Sequence, residues 1–130
     1  MNLVHVIGAA RAASEKAYAP YSNFRVGAAV LTEGGAVYAG CNVENASYGL
    51  ATCAERNAIA AMTLADPYDR KVRLIAIVSP NAAPCFPCGA CRQVLHEFGC
   101  EDVVVFEATG GSRRYALNTL LPHAFGPEYL

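Results

Sequence analysis

Three cysteines and one glutamate, in two short segments, have the spacing of a catalytic metal site. The first segment contains Cys53 and Glu55, and the second contains Cys88 and Cys91. Zn²⁺ binds thiolates well, and a site with three protein ligands leaves its fourth position for a water molecule. Bound Zn²⁺ lowers the pKa of that water, and a nearby carboxylate can serve as general acid and base. These residues therefore predict a hydrolytic site with one Zn²⁺ ion per chain.

The predicted helices explain how the sulfurs come together and stay ionised. Cys88 and Cys91 are one helical turn apart, so their side chains face the same way at the start of a helix. Cys53 begins another helix, and helix N-termini lower the pKa of thiols. Three thiolates leave an excess of negative charge, for which Arg56 and Arg92 are the candidate counter-charges.

A closed structural zinc site is the alternative that the cysteine spacing alone leaves open, with Cys85 as its fourth ligand. Two features argue against it. Pro84 and Pro87 hold Cys85 in an extended segment outside the helical turn. A structural site also has no use for Glu55 two residues after a ligand.

The remaining cysteines and the histidines are not expected to bind metal. Cys41 and Cys100 are expected to pack in the core as small apolar residues. His96 lies near the far end of its predicted helix from Cys88, and His5 and His123 are expected to be solvated or core residues.

Length and charge bound the class of protein. The chain has 130 residues, which predicts a single catalytic domain spanning 1–130. Its net charge is −1 and its basic residues are scattered, which argues against a nucleic-acid partner. The apolar fraction of 54% and the mean hydropathy of +0.23 are high for a small soluble monomer and favour subunit interfaces.

Apolar runs and cysteine usage indicate the compartment. No run reaches the roughly 18 apolar residues that a membrane span needs, so no membrane partner is expected. The N-terminus has the pattern of an amphipathic helix and not of a signal peptide. The spacing between Cys88 and Cys91 then favours reduced thiols and metal in the cytoplasm over disulfides.

Hydrophobic periodicity predicts the elements that position these residues. It indicates helices at 2–18, 53–62 and 89–98, and strands at 24–31, 36–42, 73–78, 103–106 and 113–117. A turn as short as 109–112 does not allow a parallel crossover, so strands four and five should pair antiparallel. The predicted fold class is α/β, a three-layer α/β/α sandwich around a five-stranded mixed sheet.

Six segments in order carry a resemblance to a known family. They are Ala19-Pro20-Tyr21-Ser22, Phe24-Arg25-Val26-Gly27-Ala28-Ala29, Cys41-Asn42-Val43-Glu44-Asn45-Ala46-Ser47-Tyr48, Cys53-Ala54-Glu55-Arg56, Pro87-Cys88-Gly89-Ala90-Cys91-Arg92-Gln93-Val94-Leu95 and Leu120-Leu121-Pro122-His123-Ala124-Phe125. From Ala17 to Phe125 the chain resembles the small, all-cysteine cytidine deaminases that act on free nucleosides. Its cysteines and glutamate match the known zinc-deaminase signature.

The resemblance implies a reaction and a role for each catalytic residue. The reaction is zinc-dependent hydrolytic deamination of cytidine and 2′-deoxycytidine to uridine and 2′-deoxyuridine in pyrimidine salvage. Glu55 would relay the protons, and Arg56 would offset the charge of the thiolates. The backbone around Ala54 and the carbonyls of 84–87 are expected to hold the amide edge of the base.

The resemblance also implies the sugar contacts. Asn42 and Glu44 would hydrogen-bond the ribose 3′-hydroxyl, and Phe24 would line the pocket for base and sugar. Alternation along an extended segment places Asn42 and Glu44 on one face. Without the resemblance, Asn42 and Asn45 could equally be ordinary turn residues after a strand.

Neighbouring subunits complete the active site in the resembling family. Phe125 would cover the base in a neighbour's pocket, and the loop carrying Ala46 and Tyr48 would approach from another subunit. This implies a homotetramer with a closed point group. The alternative is that Phe125 packs on the sheet of its own chain.

Three other functions are alternatives to the deamination of free cytidine. A blasticidin S-type nucleoside antibiotic deaminase shares the metal segments, but the segments around Phe24 and Asn42 favour plain cytidine. A nucleic-acid editing deaminase usually carries His where this chain has Cys53, and it needs a basic groove. A non-enzymatic zinc module would not need Glu55.

Overall fold

A computed structural model of the chain describes residues 3–107 and 109–130. Its centre is one mixed sheet of five strands in the order β2-β1-β3-β4-β5. The strands are β1 (Gly27–Thr32), β2 (Val37–Cys41), β3 (Val72–Val78), β4 (Asp102–Phe106) and β5 (Ser112–Ala116). Among these five described strands, β3 and β4 pair in parallel and the other neighbours pair antiparallel. The predictions of a five-stranded mixed sheet and of an antiparallel β4–β5 pair are confirmed.

In the described part of the chain, four α-helices accompany the sheet: α1 (Leu3–Ser14), α2 (Ala54–Ala65), α3 (Gly89–Glu97) and the short α4 (Leu117–Leu120). The sequence placed the end of α1 at residue 18, which is wrong, and residue 2 lies outside the described residues. The helix stops at Ser14, whose hydroxyl donates to the Arg11 carbonyl. The amide of Tyr18 then donates to the Asn42 carbonyl and so fastens the segment after the helix to the end of β2.

Helix α1 covers one face of the sheet. Its buried residues Val6 and Ala10 pack in one cluster with Leu31, Leu74 and Val104. The approach is close because β1 begins with a glycine. A Cβ on Gly27 would overlap the backbone of α1 at Ala10 and Ser14.

Helices α2 and α3 cover the opposite face, which completes the three layers. Met62 of α2 and Leu95 of α3 are fully buried in a second cluster with Ile75 and Val103. Gly40 in β2 lets α2 lie directly on the hairpin, since a Cβ there would overlap the backbone amide of Ala58. The two helices that carry the predicted metal ligands are therefore anchored on the same side of the sheet.

Outside the metal group, Cys100 and Cys41 behave differently. Cys100 is buried in the core, as expected. Cys41 is only half-buried, at the end of the edge strand β2, and its sulfur lies 3.7 Å from the Lys16 carbonyl oxygen. The expectation of a core position for Cys41 is wrong, because β2 has a neighbouring strand on one side only.

Among the described helices, none has the length and apolar character needed to cross a membrane.

Candidate metal centre and active site

The three predicted ligand sulfurs lie together at the start of two helices. Cys53 and Cys88 are the N-cap residues of α2 and α3, and Cys91 is in the first turn of α3. The three sulfurs lie within 4.8 Å of one another. The distance between Sγ atoms is 3.5 Å for Cys88 and Cys91 and 4.0 Å for Cys53 and Cys88. Two sulfurs about 2.3 Å from a tetrahedral Zn²⁺ would be roughly 3.8 Å apart, so the donor set fits zinc.

The thiols of Cys53 and Cys91 affect each other's ionisation. The interaction with Cys91 lowers the pKa of Cys53, and the Arg56 guanidinium lowers it further. The same interaction, together with burial, raises the pKa of Cys91. Because metal ligands must be thiolates, metal binding would release the Cys91 proton.

Arg56 contacts the sulfur group, whereas Arg92 serves another purpose. Arg56 Nη2 lies 3.5 Å from Cys53 Sγ, and the bond to that sulfur raises the pKa of Arg56. Arg92 donates from Nε to the Pro87 carbonyl at 2.7 Å and from Nη1 to the Leu120 carbonyl at 2.8 Å. Arg92 thus ties the C-terminal segment to the ligand loop, and its described hydrogen bonds go to carbonyls instead of to the sulfurs.

Glu55 lies in the first turn of α2 and is buried, with 5% of its surface exposed. Burial raises the pKa of its carboxyl, and the charge of the Cys53 thiolate raises the pKa further. A carboxyl whose pKa is shifted toward neutrality can both accept and donate a proton at the working pH of an enzyme. This environment suits a proton shuttle.

Cys85 does not join the sulfur group. The group among the described residues that could hold a metal ion consists of Cys53, Cys88 and Cys91. Burial, reinforced by the nearby Glu55, raises the pKa of Cys85 to about 11, so its side chain stays a thiol near neutral pH. The geometry offers three protein ligands and not the four of a closed structural site.

One cavity of about 280 Å³ connects the metal group with the predicted substrate contacts. Cys53, Cys88, Ala54 and Glu55 line one part of it. The other lining residues are Phe24, Val26, Asn42, Val43, Glu44, Ala51, Thr52, Cys85 and Phe86. The structure therefore brings the predicted base and sugar contacts of this chain to one pocket.

The side chain of Asn42 is engaged with the backbone beside the cavity. Its Nδ2 donates to the Phe24 carbonyl at 2.8 Å, and the Val26 amide donates to its Oδ1 at 2.8 Å. An amide group has two donor hydrogens and two acceptor lone pairs, so Asn42 keeps one of each for a ligand. It acts as a structural clamp as well as a candidate sugar contact, and the two interpretations of this residue are compatible.

Glu44 is held by the segment before Phe24. Its Oε1 accepts hydrogen bonds from the amides of Tyr21 at 2.9 Å and Ser22 at 3.2 Å, and the Ser22 hydroxyl donates to its Oε2. The hydroxyl of Ser22 is the main cause of the lowered pKa of Glu44, with the two amides adding to it. The motif that contains Ser22 predicts no role for its hydroxyl.

Ala46, Tyr48 and Phe125 are exposed and do not line this cavity in the described chain. Tyr48 borders a neighbouring depression that shares Glu44 and Ala51 with the cavity. The Phe125 ring stacks on Tyr129 with centroids 5.6 Å apart, and 59% of the residue remains exposed. Phe125 is therefore available at the surface.

Three further residues, Val26, Cys85 and Phe86, line the cavity. For residues 84–87 the sequence predicts a role of the backbone carbonyls only, and it predicts no role for Val26. Phe86 also contacts the Tyr115 ring edge-on, with centroids 5.2 Å apart. The sequence could have indicated these residues, because they lie next to Phe24 and to the Cys88 segment. Neighbours of a motif in extended backbone often line the same pocket as the motif.

The chain matches a family model described as the cytidine and deoxycytidylate deaminase zinc-binding region, over residues 2–107. The chain belongs to this family. The prediction of an enzyme of the cytidine deaminase type is thereby confirmed at the level of the family.

Full-length relatives in the family agree with this assignment. A cytidine deaminase from Sporosarcina psychrophila is 41% identical over all of this chain and 96% of its own length. One from Halalkalibacterium halodurans is 45% identical over 89% of this chain and 88% of its own. The crystal structure of cytidine deaminase from Burkholderia pseudomallei superimposes with a TM-score of 0.85 and 49% identity, covering 96% of this chain and 100% of that one.

Proposed function

We propose that the protein is a zinc-dependent cytidine deaminase that converts free cytidine and 2′-deoxycytidine, with water, to uridine and 2′-deoxyuridine plus ammonia. The observation that carries this proposal is that Glu55, Cys53 and Cys88 line the same cavity as Asn42 and Glu44. Residues 1–130 would form a single catalytic domain working in pyrimidine salvage in the cytoplasm. Six free cysteines agree with a reducing compartment.

Cys53, Cys88 and Cys91 would hold one Zn²⁺ ion per subunit. When bound, the ion supplies a nucleophile by lowering the pKa of a water molecule in its fourth position. Arg56 lies against the Cys53 sulfur and offsets part of the negative charge that three thiolates create.

Glu55 would move the protons. It accepts a proton that the attacking water loses and delivers it to N3 of the cytosine ring. It then takes the second proton of that water and gives it to the departing amine, so ammonia leaves as the C4–N bond breaks. Its buried position and raised pKa suit both directions of transfer.

The charge of the cavity favours nucleosides over nucleotides. The described lining residues of the cavity and of its neighbouring depression include Glu44 and Glu55 but neither Lys nor Arg. A phosphate group would meet the Glu44 carboxylate, whose pKa is lowered, without a cation to pair with. Asn42 and Glu44 would instead contact the ribose 3′-hydroxyl, with Phe24 beside the base and sugar.

The active site would be completed in a homotetramer. Phe125 would cover the base in a neighbouring pocket, and Ala46 and Tyr48 would approach from another subunit. Their exposure and their absence from the cavity lining of their own chain support this arrangement. The apolar composition of the chain supports it too.

The alternative of a blasticidin S-type deaminase is not favoured, since the relatives across the full length are named cytidine deaminases.

The decisive assay follows the ultraviolet change when zinc-loaded protein is mixed separately with cytidine, 2′-deoxycytidine, cytosine, CMP, dCMP and adenosine. Rapid conversion of the first two alone is expected. Faster conversion of dCMP than of the nucleosides would contradict the proposed substrate class.

Glu55→Gln is the matched variant for the proton shuttle. The amide keeps the shape of the side chain and should leave zinc content and fold intact. Loss of general acid–base catalysis should lower kcat about 10²- to 10⁴-fold, and toward the upper end because several steps depend on this group. Zinc analysis and turnover of cytidine measure both effects, and near-full turnover by the variant would exclude Glu55 as the shuttle.

A further inference from the structure

Phe24 lies in an extended segment that directly precedes β1, which begins at Gly27. In the pairing with β3, Gly27 lies opposite Val78 and Ala28 opposite Ile77. The same register extended by two residues places Arg25 opposite Pro80. Proline has no backbone N–H, so Pro80 has no donor for the Arg25 carbonyl and the regular ladder ends here.

Two side chains take the place of the missing ladder. The Ser79 hydroxyl donates to the Arg25 carbonyl at 2.5 Å, and the Arg25 amide donates to Asn81 Oδ1 at 2.8 Å. The Asn81 amide in turn donates to the Ser79 hydroxyl oxygen at 3.1 Å. Both main-chain groups of Arg25 are therefore bound by the residues on either side of Pro80.

Asn42 holds the other edge of the same segment. It binds the Phe24 carbonyl and the Val26 amide through its side chain, and its own amide donates to the Val26 carbonyl at 3.1 Å. The segment 24–26 is thus fixed from both sides. Because successive side chains of extended backbone alternate, Phe24 and Val26 share a face, and both line the cavity.

We propose that Ser79 and Asn81 are positioning residues that fix the Phe24 wall of the pocket and thereby set its affinity for the nucleoside. The inference rests on the proposed function only in taking this cavity as the nucleoside site. It extends that function to two residues that lie outside the cavity and do not contact the reacting atoms.

The loop that contains these residues also leads to other lining residues of the cavity. It continues from Asn81 to Cys85 and Phe86, which line the cavity, and then to the ligand Cys88. The bonds to Arg25 therefore tie the Phe24 segment to the loop that carries Cys85 and Phe86. We call the Ser79 and Asn81 side chains that bind Arg25 the clamp. Loss of the clamp should weaken the binding of base and sugar. Glu55 and the metal cysteines should stay in place, because α2 and α3 position them.

The kinetic test compares Asn81→Ala, Ser79→Ala and the conservative Asn81→Asp, all zinc-loaded. Loss of one or two hydrogen bonds should raise KM for cytidine about five- to tenfold in the alanine variants, with kcat within about twofold. Asn81→Asp keeps an oxygen acceptor for the Arg25 amide and should have a KM close to that of the wild type. Asp66→Ala is the matched control, since Asp66 also accepts a backbone hydrogen bond, from Tyr68, but lies at the end of α2.

Amide hydrogen exchange tests the clamp without any substrate. The Arg25 amide should exchange faster in Asn81→Ala than in the wild type and at the wild-type rate in Asp66→Ala. Unchanged exchange, unchanged KM, or a parallel loss of kcat and zinc would each overturn the positioning role. A wild-type protein that binds zinc but does not turn over cytidine would contradict the proposed function instead, and the exchange rates would still decide whether the clamp exists.

Discussion

None of the described metal cysteines uses its sulfur to cap its own helix. Cys53 and Cys88 occupy N-cap positions without a side-chain capping hydrogen bond. Their sulfurs therefore make no capping bond to their own helices and can serve as metal ligands.

The ligand set can be tested by the metal content of single variants. Cys53→Ala, Cys88→Ala and Cys91→Ala should each lower zinc content well below one ion per chain. Cys85→Ser should retain the metal, since its sulfur lies outside the group. Replacement of zinc by cobalt gives an independent readout, because the intensity of the sulfur-to-cobalt absorption follows the number of thiolate ligands. A Cys85 variant that loses metal would favour the closed four-cysteine site.

Ser22 should control the ionisation of Glu44. Its hydroxyl is the main cause of the lowered pKa of Glu44, whose ordinary value is 4.5. A carboxyl whose pKa is lower in the folded than in the unfolded state stabilises the folded state at pH values above its unfolded-state pKa. That stabilisation is lost as the pH falls through the folded-state pKa. Ser22→Ala should therefore move the Glu44 pKa upward toward 4.5 and move the loss of this stability to higher pH.

The measurement for Ser22→Ala is an NMR titration of the Glu44 carboxyl carbon between pH 2 and pH 7, a range of about five units around the carboxyl pKa values. Ser47→Ala is the control, since Ser47 lies in the following loop and its hydroxyl does not bind Glu44 in the structure. Identical titrations of Glu44 in wild type and Ser22→Ala would show that the two backbone amides alone hold the carboxylate.

At the scale of the elements, close contact between α2 and the β1–β2 hairpin positions the first turn of α2. Gly40 is the point of closest approach. A side chain there would push against helix backbone, which has less freedom to move than the end of a flexible side chain. The location of Cys53 and Glu55 therefore depends on a glycine in a neighbouring strand.

Gly40→Ala should lower the free energy of unfolding by about 1–3 kcal/mol, the usual cost of overpacking. It should also lower kcat, because α2 carries Glu55. Gly49→Ala is the matched control, since a Cβ at Gly49 meets nothing within 4 Å. Urea unfolding of zinc-loaded protein measures the stability. Equal stability of the two variants would mean that α2 shifts without cost.

The sequence predicts the elements well where apolar residues recur with one clear period. The continuous apolar run of β3 predicts a strand covered on both faces, and β3 is the central strand. The predicted end of α1 was wrong because Ala17 continues the helical spacing of the apolar residues, whereas the hydrogen bonds of Tyr18 to the Asn42 segment are tertiary. Local patterns carry no information on such contacts.

In the candidate site too, the sequence predicts features set by local geometry but not those set by tertiary contacts. The spacing of Cys88 and Cys91 and the segment with Cys53 predict a metal group, because local helix geometry fixes their directions. The clamp formed by Ser79 and Asn81 was not predicted. It depends on the register between β1 and β3, which places Pro80 opposite Arg25, and register is a property of two distant segments.

For the whole molecule, the proposal of shared active sites makes a specific prediction about mixed assemblies. Glu55→Gln chains and Phe125→Ala chains should each have low activity alone. After subunit exchange, activity should rise above the sum of the two parents, because some sites then combine an intact Glu55 with a neighbour's intact Phe125. A mixture of wild type with Glu55→Gln serves as the control, since it should give additive activity.

Light scattering determines the assembly on which this prediction depends. A tetramer with complementation supports shared pockets. A monomer, or strictly additive activity after verified exchange of subunits, would mean that Phe125 serves its own chain, where it already stacks on Tyr129.

The extent of the two hydrophobic clusters has a consequence for the order of assembly. Both clusters form without Cys53, Cys88 or Cys91, although Cys91 itself is fully buried. Very small zinc domains fold only when the metal arrives, because they have little else to bury. Here the sheet and its two helical layers supply the core, so folding need not wait for zinc. In a zinc-starved cell, the chain should accumulate as a folded reserve that becomes active once the metal returns.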